Sequence, residues 1–202
     1  MGKADFSRFF RDLNGYSMDD LDRWLFCPGM VHGSIQKWWG DRGLRTAPHE
    51  GVDFCLFTDK GGAVHHLTGK SRIPALYTGA VVSIVPDFLG KTVIMEVAGG
   101  EKKVLLLYGH LTPDKTVSVG SEVLSGEALG LVSPPQPATT GLLPHVHVTV
   151  AEVHGQVDYG CLDWSSIGAM KSLVFLDPLE FIDGPWSLTD LSLLDRLVDR
   201  NR

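Results

Sequence analysis

Between residue 49 and about residue 182 the chain is cut into short apolar, β-branched runs, each closed by glycine or proline, and no stretch there sustains a helical period. The runs are "VDFCLF", "GAVVSIVPD", "KTVIMEV", "KVLLLYGHL", "EALGLV" and "HVHVTVAEV". Runs of this length and composition predict strands. With turns rather than helices between them, they predict a mainly β chain: an antiparallel sheet, sandwich or partly closed barrel. "SPPQPATTGLLP", residues 133 to 144, reads as the clearest loop, and "VSVGSEVLSGEALG" as two tight turns that fold a strand back on itself.

The flanks read differently. Phe6, Phe9, Phe10 and Leu13 are spaced for one helical face, with Gly15 as a stop. Ser17 and Asp20 resemble a capping box, which predicts a second short helix carrying Met18, Leu21 and Trp24 up to "CPG". At the other end Leu188, Leu191, Leu194 and Val198 predict a docking helix. The chain then divides into an N-terminal helical and loop extension (1–44), a β domain (45–184) and a C-terminal helix (185–202). Trp38 and Trp39, in the irregular lead-in, read as filling a domain junction.

Composition narrows the function. The formal charge of −6 and the absence of any long basic run argue against a nucleic-acid surface. No apolar run is long enough to cross a bilayer, so no transmembrane segment is expected. The first twenty residues lack the apolar core of a signal peptide, which leaves a cytoplasmic location open. Cys27, Cys55 and Cys161 are odd in number and widely spaced, and all three read as small buried thiols.

The chemistry is concentrated in the histidines. In "LLPHVHVTV" the period-two alternation of a strand puts His145 and His147 on one face and Val146, Val148 and Val150 on the other. "PHEGVDF" offers His49 and Asp53, with Gly51 between them allowing close backbone approach, and "LLLYGHL" sets His110 at the end of an apolar strand. Burying several such groups without partners is costly. Two imidazoles and a carboxylate match the ligand set of a catalytic zinc, which keeps one position open for water. His65 and His66, being adjacent, point to opposite faces; with His32 and His154 they read as solvated or hydrogen-bonded.

His-x-x-x-Asp, then Tyr-x-His-Leu, then His-x-His, in that order on an all-β chain, resembles the lysostaphin/LytM-type zinc metallopeptidases. The resemblance spans roughly residues 45 to 182 and takes in "VSVGSEVLSGEALG" and a closing "DPLEFI". It implies that His49, Asp53 and His147 bind one zinc and that His110 and His145 act on the water and the oxyanion, in an order left open. It further implies a peptidoglycan peptide as substrate and a place in the cell envelope; the oligomeric state stays open. The alternative is a non-enzymatic module on the same scaffold that binds peptidoglycan or activates a partner amidase. The last motif here is "HVHVT" where the family commonly has "HLHFE", and the loop before it is proline-rich where relatives carry small residues. The N-terminal 48 residues, like pro-segments in some relatives, are candidates to lie over the cleft and restrict access.

Overall fold

A computed structural model describes residues 1–99, 102–135 and 142–200. Three helices are labelled, α1 (Phe6–Asn14), α2 (Trp164–Ile167) and α3 (Ser192–Arg200). Strands run in chain order β1 (Arg23–Phe26), β2 (Val52–Phe54), β3 (Leu56–Thr58), β4 (Val64–His66), β5 (Arg72–Pro74), β6 (Gly79–Pro86), β7 (Lys91–Gly99), β8 (Lys102–Pro113), β9 (Glu122–Val123), β10 (Ala128–Val132), β11 (Val146–Val153), β12 (Leu173–Leu176) and β13 (Trp186–Leu188). The fold is mainly β and antiparallel, as the punctuated runs predict.

A nine-stranded sheet follows the order β12-β11-β8-β7-β6-β9, with β2 beside β11 and β10 bridging β5 and β8. A second, four-stranded sheet is ordered β13-β1-β3-β4, and its β1–β13 pair is parallel. "VDFCLF" is divided between the two sheets: β2 joins the large one and β3 the small one, with Cys55 between them.

The alternation along β11 sorts two environments. Val146, Val148 and Val150 point into the main core, against Leu106 and Tyr108 of β8 and a cluster of aromatic rings from the N-terminal segment. The opposite face carries His145, His147, Thr149 and then Ala151, which enters a smaller core with Leu105, Leu107, Leu162 and Ile167. The polar positions thus lie at one end of a face whose other end is sealed by α2 and its neighbours.

α1 forms as its spacing predicts: Asp5 caps it by accepting from Arg8 N, and Gly15 ends it in the left-handed conformation. Its buried face, Phe6 and Phe10, packs on Trp24, Phe54 and Phe57. The second helix expected over residues 17–26 is not formed. The Asp20 carboxylate instead accepts from Ser17 N across a tight turn, and Arg23–Phe26 extend as β1 between β3 and β13. The three consecutive buried side chains Trp24, Leu25 and Phe26 suit a strand covered on both faces better than one helical stripe.

At the C-terminus α3 docks through Leu194, and Asp195 pairs with Arg42; Leu188, expected on that helix, is in β13 and exposed. The side chain of Val198 and residues 136–141 of the proline-rich loop lie outside the described residues. Cys27 and Cys55 are buried, and burial drives the Cys27 thiol up to about 12; Cys161 is exposed beside Asp158, contrary to the expectation of a third buried thiol. Among the described residues no helix is long and apolar enough to cross a membrane.

Candidate metal centre and its flanking histidines

Strand register builds the site. In β11 His147 is paired on one side with Asp53 of β2 and on the other with Gly109 of β8, so a carboxylate and the residue preceding His110 are fixed on either flank of its backbone. Gly51 makes the first pairing possible. A Cβ there would meet Val148 O at 2.4 Å, Thr149 Oγ1 at 2.6 Å and His147 Cε1 at 2.8 Å.

His49, just before β2, completes a triangle. Its Nε2 lies 3.1 Å from His147 Nδ1 and 3.4 Å from Asp53 Oδ1, and His147 Nδ1 lies 2.8 Å from Asp53 Oδ1. All three residues are buried. Ligands at about 2.0–2.1 Å from a tetrahedral zinc are separated by about 3.3 Å, so this triangle has the size of one face of such a polyhedron. The donor chemistry agrees. His49 Nδ1 is tied to Val31 O at 3.2 Å and His147 Nε2 to Thr149 Oγ1 at 2.8 Å, so each ring turns its other nitrogen toward the shared point. Three electron-pair donors this close repel unless a cation or proton lies among them, and the group could hold a metal ion. Although burial opposes ionisation of Asp53, the His49 charge and the His147 hydrogen bond hold its carboxyl well below the usual carboxylate range.

His110 and His145 stand beside the triangle, their ring centroids 4.7 Å apart. His145 is buried, and its Nδ1–H donates to Leu143 O at 2.9 Å. Burial, reinforced by the His110 and His147 charges and opposed by Asp53, pushes its pKa down to about 3, so at neutral pH the ring is uncharged.

His110 is not at a strand end: β8 continues to Pro113, and at His110 the backbone is in the left-handed region with φ +66°. The β7–β8 register slips here, Lys91 facing Leu111 and Val93 facing Tyr108, so Thr92 is opposed by two residues in a bulge that turns the ring into the cleft. Asp87, in the β6–β7 turn, holds the strained residue, accepting from its backbone N–H at 2.8 Å and from its Nδ1 at 3.1 Å. The same carboxylate accepts from Leu89 N, Gly90 N and Thr92 Oγ1. Burial resists its charge, but the His110 hydrogen bonds, the His110 charge and the Leu89 amide keep Asp87 well below its ordinary value.

The five residues read from the sequence therefore share one cleft of about 330 Å³, edged by Trp39, Phe88, Leu142 and Trp164. His65, His66, His32 and His154 do not line it; His65 pairs with Asp59 and His154 with Glu152. Sequence reading missed Asp87 and Arg45, and it gave the two tryptophans of the lead-in only a packing role. Trp38 does not simply fill a junction: its indole N–H donates to Asp53 Oδ2 at 2.7 Å, while Trp39 stacks under the Arg45 guanidinium at the cleft wall.

No curated protein matches the chain. Among solved structures it is similar to a point variant of the catalytic domain of the prophage-encoded M23 protein EnpA of Enterococcus faecalis (28% identity, 59% of this chain and 78% of that one, TM-score 0.38). It is also similar to the catalytic domain of the antimicrobial peptidase lysostaphin of Staphylococcus simulans (18%, 75% and 87%, TM-score 0.46) and to a zinc-containing peptidase from Vibrio cholerae (21%, 61% and 32%, TM-score 0.38). A family model matches residues 47–159, more than half of the chain and all five residues of the histidine cluster, and by that match the chain belongs to Peptidase family M23.

Proposed function

We propose that the protein is a zinc endopeptidase that hydrolyses peptide bonds of bacterial peptidoglycan. The observation that carries this reading is the donor triangle of His49, Asp53 and His147 with two further imidazoles turned toward it. Membership of a peptidase family supports peptide-bond hydrolysis, and the resemblance of the histidine motifs to the lysostaphin/LytM-type enzymes supports the substrate class and, with it, a place in the cell envelope.

In this reading His49 Nε2, Asp53 Oδ1 and His147 Nδ1 hold the ion. Zinc bound there supplies Lewis acidity, which makes water a usable nucleophile at neutral pH and polarises a carbonyl. The protein does the rest. His145, uncharged and with Nδ1 committed to Leu143 O, keeps the Nε2 lone pair and accepts a proton from the attacking water. His110, with Nδ1 committed to Asp87, turns Nε2 toward the cleft, where the oxyanion and the leaving amine would form. Phe88, Leu142 and Trp164 would give a bound peptide apolar walls beside the donor triangle.

Digestion of purified sacculi with mass spectrometry of the released fragments tests the reading. New peptide termini are expected with wild-type protein, none after chelation, and their return on adding zinc. His145→Ala and His110→Ala should abolish release while keeping the metal, and His147→Ala should lose the metal itself. Zinc uptake without cleavage would favour a binding module instead.

A further inference from the structure

The two oxygens of Asp53 have different neighbours. Oδ1 faces the imidazoles, whereas Oδ2 accepts the indole N–H of Trp38 at 2.7 Å and lies 3.8 Å from the Arg45 guanidinium. Trp38 and Asp53 are only 1% and 2% exposed, so water does not compete for the bond. The same indole stands edge-on to His145, ring centroids 5.0 Å apart at 81°. Trp38 is itself firmly seated. Gly29, at φ +95°, lies so close to the lead-in that a Cβ would meet Gln36 O at 2.7 Å and Trp38 N at 2.8 Å. Trp38 precedes the stretch matched by the family model, so this contact comes from the N-terminal segment.

We infer that Trp38 is a positioning residue of the metal centre: its N–H occupies Oδ2 so that Asp53 presents a single oxygen to the ion, and its edge braces the His145 ring. The inference rests on the zinc reading above. A carboxylate with both oxygens free is able to chelate, and a second oxygen would fill the coordination position that a hydrolytic site must leave open. An indole suits the task because it is a donor only: it cannot ligate the ion, and it takes up no proton in the working range. On this account the N-terminal segment completes the site rather than blocking it.

The test uses the full chain. Trp38→Phe keeps an aromatic ring and deletes the donor; benzothienylalanine at position 38 keeps the ring shape more closely and also lacks the N–H. Trp24→Phe is the control, because it removes another buried indole hydrogen bond, to Ser7 Oγ at 3.1 Å, within the core formed with Phe6 and Phe10. Zinc dissociation constants are measured by chelator competition, and visible spectra of the cobalt(II)-loaded proteins report coordination number. Loss of such an outer partner is expected to weaken zinc binding about 10–100-fold in both position-38 variants and to shift cobalt bands toward higher coordination. Trp24→Phe should lower the melting temperature with affinity and spectrum unchanged. Wild-type affinity and spectrum in the benzothienylalanine protein would overturn the inference, as would an equal loss in Trp24→Phe. If the wild type bound no zinc, the proposed function would fall first and take this inference with it.

Discussion

At the residue scale, the two flanking histidines are made unlike by burial and by what holds their Nδ1 atoms. Burial, which the hydrogen bond to the Leu143 carbonyl only partly offsets, holds His145 as a neutral acceptor, whereas His110 is oriented by a carboxylate, Asp87. Asp87→Asn is expected to lower kcat by on the order of tenfold or more with KM little changed and zinc content intact, measured by steady-state hydrolysis and elemental analysis. The pH dependence of stability follows from the depressed pKa of Asp87. Its contribution is present above the unfolded-chain value near 4 and is lost as pH falls toward the folded value. The stability gap between wild type and Asp87→Asn, read from thermal unfolding of the metal-free proteins, should therefore narrow as pH drops below about 4. A gap that widened on acidification would contradict the assignment.

At the element scale, the site depends on two strands meeting β11 in the correct register. Period-two alternation made the common face of His145 and His147 legible from sequence, because that geometry is set within one strand. The β7–β8 bulge was not legible. Its cause is a contact between His110 and Asp87, 23 residues apart, and "VPDFLGK" reads locally as an ordinary Asp-to-Gly turn. The same holds for Trp38, whose contact with Asp53 spans 15 residues of irregular chain. The missing second helix has a similar origin: a capping pattern competed with pairing to β3 and β13, and the pairing won. Gly51→Ala tests the β2–β11 junction. Its Cβ would strike the backbone of Val148 and push β2 outward, carrying Asp53 with it. Zinc affinity should fall by about tenfold or more while far-ultraviolet circular dichroism keeps its β signature.

At the scale of the whole molecule, segments far apart in sequence share one core and one small sheet. Phe6 and Phe10 from α1, Trp24 and Phe26 from β1, and Val146 and Val148 from β11 belong to a single buried cluster. The short apolar runs announced the β core; they did not announce that the first forty residues would enter it, since aromatic residues there have no alternation pointing to a partner. Phe10→Ala is accordingly expected to cost about 3–5 kcal/mol in denaturant unfolding. Removing residues 1–44 should yield insoluble protein rather than an unleashed peptidase; a soluble and more active product would show that the segment only shields the cleft. The central claim is that His49, Asp53 and His147 share one ion, and titration of metal-free protein with zinc by calorimetry tests it most directly. One equivalent should bind tightly to the wild type and none tightly to His147→Ala; equal uptake by both, or no uptake by the wild type, would contradict it.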